Sequence, residues 1–255
     1  MFSFKSNNAR EEWKSTLQKA RGLHRKTEYE LVKRGLRGAA ITYIAKKDIE
    51  RNLETYLEEE LFFTPLEKVR PFSKFLHKHT IPSQGEDWIV RGVLTRTNKL
   101  GGEFEEGYFK NDDVKIGEML GYPPCCCDFF NYVWKKGYFD PLWESARNTK
   151  KPEDNTIEVE SNPLINQALR YFGLRITSHI PCSLNCEGTV ESGKRWYEVM
   201  ESLNEDVAVR LKEILSEELI WESFEGVATI ENKYLKGTIE TYPYKDRKLL
   251  ILNKK

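Results

Sequence analysis

Five cysteines fall into two tight groups, Cys125-Cys126-Cys127 and Cys182 with Cys186, and none lies elsewhere in the 255 residues. Thiolate sulfur binds soft metals and attacks electrophiles, so two such groups brought together could make a metal site, a redox pair or a nucleophile. Each group follows a proline, in Gly121-Tyr122-Pro123-Pro124-Cys125-Cys126-Cys127 and in His179-Ile180-Pro181-Cys182-Ser183-Leu184-Asn185-Cys186. Proline suits a first helical turn because it has no amide hydrogen to leave unpaired, so a helix is expected to start at each. The free amides and dipole of a helix N-terminus favour thiolate. The pattern predicts two thiolate-stabilising helix ends facing one site.

Four converging thiolates would suit a tetrahedral zinc ion or an iron–sulfur cluster. Neither group has the Cys-x2-Cys spacing of a zinc knuckle. Adjacent cysteines project in diverging directions, which suits two irons of a cluster better than two positions on one zinc. The expectation is an intracellular iron–sulfur protein. A cluster of the four-iron type on Cys125, Cys126, Cys182 and Cys186 would serve electron transfer or Lewis-acid and sulfur chemistry. Its partner would be a small-molecule substrate or a redox protein. Zinc is the alternative metal, with His179 as an alternative ligand. Three consecutive cysteines cannot easily all reach one site, which leaves Cys127 as the odd thiol. A metal-free thiol redox enzyme is a further alternative, and so are inert buried thiols.

Candidates for proton chemistry stand beside the cysteines. His179 could orient a ligand or move a proton, or be a packed polar residue at a strand end. Asp128 and Glu187 could act as acid or base, but acids in a first helical turn are also favoured simply by the dipole. Ser183 reads as a helix cap rather than a nucleophile. His77 and His79 could bind metal, although alternating histidines in so polar a stretch read better as a solvated helix end. Gly101-Gly102 lacks the Lys-Ser/Thr of a phosphate loop, which sets nucleotide binding aside.

The stretch Ile116-Gly117-Glu118-Met119-Leu120-Gly121-Tyr122-Pro123-Pro124-Cys125-Cys126, with Phe129 following, looks like a Gly-Tyr-Pro-x-Cys-Cys-x-x-Phe signature. Together with His179-Ile180-Pro181-Cys182-Ser183 and Cys186, it resembles a mostly archaeal family of uncharacterised proteins. The resemblance covers about residues 112–203. It implies a shared site on Cys125, Cys126, Cys182 and Cys186 with Cys127 at a free position, and it supplies no activity.

The elements that must position these residues follow from periodicity and punctuation. Helices are expected over 8–20 and Glu28–Arg34, then a strand over Ala39–Ile44 and a helix over 46–61. A further helix is expected from Pro65 to about His77. Trp88–Leu94 reads as a strand, Gly101-Gly102 as a turn, and Phe104–Phe109 as a partner strand. Helices follow over 112–120 and Cys126–Lys135, with Trp134 on the buried face of the second. Residues 148–156 read as an exposed loop, 163–172 as a helix ended by Gly173, and Leu174–Ile180 as a strand. Residues 184–217 are mainly helical with a break near Leu203-Asn204. Val227–Ile230 and Gly237–Thr241 read as a hairpin, and Leu249–Leu252 as a last strand. The fold class is α+β, in three parts: a mixed N-terminal region over 1–111, a mainly helical cysteine-bearing centre over 112–203, and a helix with a small β hairpin region over 204–255.

Charge and composition bound the partners. Forty basic residues balance 40 acidic ones, which excludes a chain basic along its whole length. Residues 1–47 nevertheless carry 12 bases and four acids. Arg10, Lys14, Arg21, Arg25, Lys26, Arg34 and Arg37, with Trp13, Tyr29 and Tyr43 among them, could hold RNA phosphates and stack a base, making a zinc-stabilised RNA-binding or interaction module. A solvated Lys-rich surface is the simpler reading, and the 25 Lys and 31 Glu against nine Asp match a thermophile tendency. No stretch approaches the roughly 18 consecutive apolar residues of a membrane span, and the N-terminus lacks the apolar run of a secretory signal. No membrane contact and a cytoplasmic location are expected.

Overall fold

A computed structural model describes residues 2–71, 81–135 and 140–254. His77 and His79 lie outside the described residues, and so does the side chain of Trp134. The chain is α+β, and it divides into two compact units, Met1–Thr27 with Tyr122–Lys255, and Glu28–Gly121. This division differs from the boundaries expected after 111 and 203. The first strand, Phe2–Phe4 (β1), pairs with Leu235–Glu240 (β8), so the N-terminus joins the C-terminal sheet. A pairing between residues more than 230 positions apart leaves no local signal.

The helix expected over 8–20 and the one expected over Glu28–Arg34 are a single helix, Asn7–Lys33 (α1), and the boundary between the units falls inside it. In the Glu28–Gly121 unit, Ala39–Ala45 (β2), Phe62–Val69 (β3) and Ile89–Thr95 (β4) form an antiparallel sheet in the order β2-β4-β3. The helix Ile49–Glu58 (α2) precedes β3. Val32, Ala40, Ile44, Tyr56, Leu61 and Leu94 form its buried cluster.

Residues 65–69, expected to be helical, are strand. Pro65 sits at a register shift on the edge strand β3, where a missing N–H is tolerated. Phe104–Phe109 belongs to a helix, Asn98–Phe109 (α3), not to a strand. Thr97 caps α3 by accepting from the Leu100 N–H. Gly101 is there for close packing and not for a turn: a Cβ on it would run into Thr64 Oγ1. The expected helix at 112–120 is Asp113–Met119 (α4), capped by Asp112.

In the other unit, Thr156–Glu160 (β5), Leu219–Phe224 (β6), Val227–Asn232 (β7), β8 and Lys248–Asn253 (β9) join β1 in a six-stranded sheet ordered β1-β8-β7-β6-β9-β5. The expected hairpin is β7–β8, and β9 is the expected last strand. β6 is not expected from the sequence, yet it is central and holds the fully buried Trp221, whose ring stacks on Trp143 at 5.8 Å. The helices are Pro124–Lys135 (α5), Pro141–Thr149 (α6), Glu187–Leu203 (α7) and Glu205–Ser216 (α8), with Asn204 making the expected break by capping α8.

The helix expected over 163–172 reduces to a short 3-10 turn at Ala168–Phe172, and no strand forms over 174–180. Side chains take over the backbone there. Gln167 Nε2 donates to the Thr177 carbonyl at 3.1 Å and to its hydroxyl at 2.9 Å.

Gly237 on β8 faces Phe172 so closely that a Cβ would fall 2.5 Å from the ring. Gly237→Ala is therefore expected to destabilise this unit by about 1–3 kcal/mol, as overpacking of a rigid ring does, read as a lower urea midpoint at unchanged slope.

Candidate metal centre

Pro124 begins α5 and supplies the first-turn proline, while the Pro123 carbonyl accepts from the Cys126 and Cys127 amides. Cys125 and Cys126 thus sit in the first turn of a 12-residue helix. The second group is built differently from expectation. No helix starts at Pro181; residues 183–186 make a turn, with the Cys186 amide donating to the Ser183 carbonyl. Cys186, not Ser183, stands at the N-cap of α7. Ser183 instead donates to Asn185 Oδ1 at 2.8 Å.

Two contacts bring the groups together. A Cβ on Gly188 would lie 3.0 Å from Pro123 Cβ, so the bare glycine lets the first turn of α7 approach the Pro-Cys-Cys turn. The end of α6 holds the 182–184 turn: Asn148 Nδ2 donates to the Cys182 carbonyl at 2.9 Å, and the Leu184 amide donates to Thr149 Oγ1 at 2.7 Å. Residues 148 and 149 read from sequence as part of an exposed polar loop. Their role depends on a partner 34 or more positions away, so nothing local could reveal it.

The sulfur atoms of Cys125, Cys126, Cys182 and Cys186 lie within 4.8 Å of one another. Cys125 to Cys186 and Cys126 to Cys186 are each 3.7 Å, and Cys125 to Cys126 is 4.0 Å. The adjacent cysteines do not diverge as expected: both sulfurs turn to one point. Four sulfurs at about 2.3 Å from one ion would stand about 3.8 Å apart at the corners of a tetrahedron. The group could therefore hold a metal ion. Cys127 is buried elsewhere, its sulfur 3.9 Å from the Tyr122 carbonyl.

Burial pushes the Cys126 thiol strongly up, against hydrogen bonds from the Thr189 side chain and the Cys182 amide. Burial and the neighbouring thiols push Cys182 up to about 12. Burial also acts on Cys186, but hydrogen bonds from Thr189, from Cys182 and from Cys125 outweigh it and hold Cys186 below the ordinary thiol range. Collecting four negative sulfurs in one half-buried place is unfavourable without a cation among them, and a bound cation reverses that balance.

His179 is buried beside the group, its ring 4.9 Å from that of Tyr122. It reaches the sulfurs through Thr189: His179 Nε2 is 3.0 Å from Thr189 Oγ1, which is 3.3 Å from Cys126 Sγ. A hydroxyl has one proton, so an ordered chain has Nε2–H donating to Thr189 and Thr189 donating to the sulfur. This puts His179 one step behind the sulfur group. Thr189 was not singled out from sequence. Its helical spacing of three from Cys186 is the signal that could have found it.

Thr189→Val leaves the Cys126 sulfur and the His179 ring without this partner. The variant is expected to bind metal about 10–100-fold more weakly in chelator competition, with Thr189→Ser restoring most of the affinity.

Asp128 and Glu187 are both exposed, near the starts of α5 and α7. The basic head is partly consumed by the fold. Arg21 donates to the Phe172 carbonyl, Arg34 pairs with Glu30, and the buried Arg37 pairs with Glu28 at 2.7 Å. Arg10, Lys14, Arg25 and Lys26 are exposed on α1. The aromatic residues expected to stack a base are engaged otherwise. Trp13 is buried against Tyr234, the Tyr29 hydroxyl is bonded to Thr42, and Tyr43 is partly buried in β2.

Among the described residues, no helix is long and apolar enough to cross a membrane. No family model, curated protein or solved structure matches the chain.

Proposed function

We propose that Cys125, Cys126, Cys182 and Cys186 bind one tetrahedrally coordinated zinc ion that fastens the start of α5 to the start of α7. The carrying observation is the spacing of the sulfurs, 3.7–4.0 Å for the closest pairs and 4.8 Å at most. A four-iron cluster would need to fit its cube between the ligands and would hold their sulfurs roughly 6 Å apart. A single ion needs about 3.8 Å. The spacing therefore favours zinc, the alternative metal, over the expected cluster. A site with four protein ligands is of the closed, structural kind. Thiols kept available for zinc also favour a reducing compartment such as the cytoplasm.

The test is metal analysis of full-length protein prepared anaerobically from cells supplied with both metals. About one zinc per chain and a colourless protein are expected. About four irons with broad visible absorption would sink the zinc reading in favour of a cluster, and absence of both metals would sink metal binding altogether.

A further inference from the structure

We propose that Cys125 is the reactive sulfur of this centre, alkylated at Sγ by small neutral or cationic soft electrophiles while the other three cysteines keep the metal. This rests on the zinc reading above and adds to it which sulfur reacts and with what.

The four sulfurs are not protected equally. Cys126 is buried, accepts from the Cys182 amide at 3.3 Å and faces the Thr189 hydroxyl at 3.3 Å. Cys186 is buried at the start of α7 and bonded by the Thr189 amide. Cys182 is half-buried, in a turn pinned by Asn148. Cys125 is exposed, and among the described contacts its sulfur meets the sulfurs of Cys126 and Cys186 with no N–H or O–H donor. Hydrogen bonds to a thiolate draw off its charge, which leaves Cys125 and Cys182 the stronger nucleophiles, since neither sulfur has an N–H or O–H donor among the described contacts; of the two, Cys125 is exposed and Cys182 half-buried, so an electrophile reaches Cys125. Coordination keeps that sulfur ionised at neutral pH.

The step balances without a redox partner. A lone pair on Cys125 Sγ attacks an sp³ carbon, the S–C bond forms, and the bond to the leaving group breaks with its electron pair leaving on that group. The sulfur is already ionised, so no proton is released. Four thiolates around a dication carry a net −2, which falls to −1 when one becomes a thioether. Anionic electrophiles are repelled by that charge and by Asp128, exposed one helical turn beyond Cys125.

The experiment treats zinc-loaded full-length protein with limiting iodoacetamide, which is neutral, or iodoacetate, which is anionic. Adducts are mapped by peptide mass spectrometry and zinc is assayed in the same samples. Cys125 is expected to be modified at least roughly tenfold faster than any other cysteine, with Cys127 reacting only after unfolding. Iodoacetamide is expected to exceed iodoacetate by more than it does on the unfolded chain. First modification at Cys182, or equal labelling of several ligands with zinc still bound, overturns the assignment of Cys125 and leaves the zinc reading standing. Equal preference for the two reagents, native against unfolded, overturns the electrophile class. A native protein with no zinc overturns both readings.

Discussion

Cys126→Ser is expected to lower zinc affinity by at least about 100-fold, more than the loss of an outer partner causes, because a ligand itself is removed. Cys126 is 2% exposed and stands between Cys182, Cys186 and Thr189, so the vacated position cannot be filled by solvent without opening the core. At saturating metal a hundredfold loss of affinity removes about 2.7 kcal/mol of stability. That corresponds to a melting temperature lower by about 5–11 °C for a chain of this size. Cys127→Ser is the matched control. It alters a buried thiol 3% exposed one residue away, outside the sulfur group, and should keep full zinc stoichiometry. Chelator competition and thermal unfolding with and without zinc read both effects. Undiminished zinc in Cys126→Ser, or equal loss in Cys127→Ser, would show that the sulfur group is not the binding site.

Asp140→Asn is expected to stabilise the protein at neutral pH. Asp140 is 1% exposed and caps α6, accepting from the Trp143 amide while the Thr241 hydroxyl donates to its other oxygen. Burial pushes its carboxyl up to about 6 from the ordinary 3.8, and the hydrogen bonds from Thr241, Trp143 and Leu142 only partly oppose this. Between about pH 4 and pH 6 the folded state therefore holds more protons than the unfolded one, so stability falls as pH rises through that window. The full loss, on the order of 3 kcal/mol, is present above pH 6. Asparagine keeps an acceptor for the Trp143 amide and a polar partner for Thr241 without the buried charge. The variant should be more stable than the native chain by up to that amount near pH 7.5, with the difference vanishing near pH 4. Urea unfolding of both proteins at several pH values measures it, and the comparison at each pH cancels the metal's own pH dependence. A constant difference across pH, or a less stable variant at pH 7.5, would contradict the buried-charge account.

What the chain reveals by itself is what depends on local spacing. Two cysteine groups behind prolines marked the site, and Pro124 starts a helix as read. The 3.6-residue pattern gave α2, α4, α7 and α8, while Trp13, Leu17 and Ala20 formed the expected buried stripe of α1. Short apolar runs between turn residues gave β2, β4, β7 and β9. Where a local preference competed with a distant partner, the partner decided. Pro65 lies in an edge strand, and the Gly101-Gly102 pair lies in a helix pressed onto Thr64. The unassigned β6 became central because β7 and β9 close on both sides of it.

The same division holds at the site. Residue types and spacing pointed to sulfur coordination by four of the five cysteines. Only the tertiary structure decided how far apart those sulfurs stand, that Thr189 and Gly188 on α7 and Asn148 and Thr149 on α6 hold them there, and that Cys125 faces water. A ligand's identity is written in the residue, whereas its distance to three others depends on helices that meet only once the chain has closed on itself. The choice between one ion and a cluster turns on about 2 Å of separation, which only the packed fold sets.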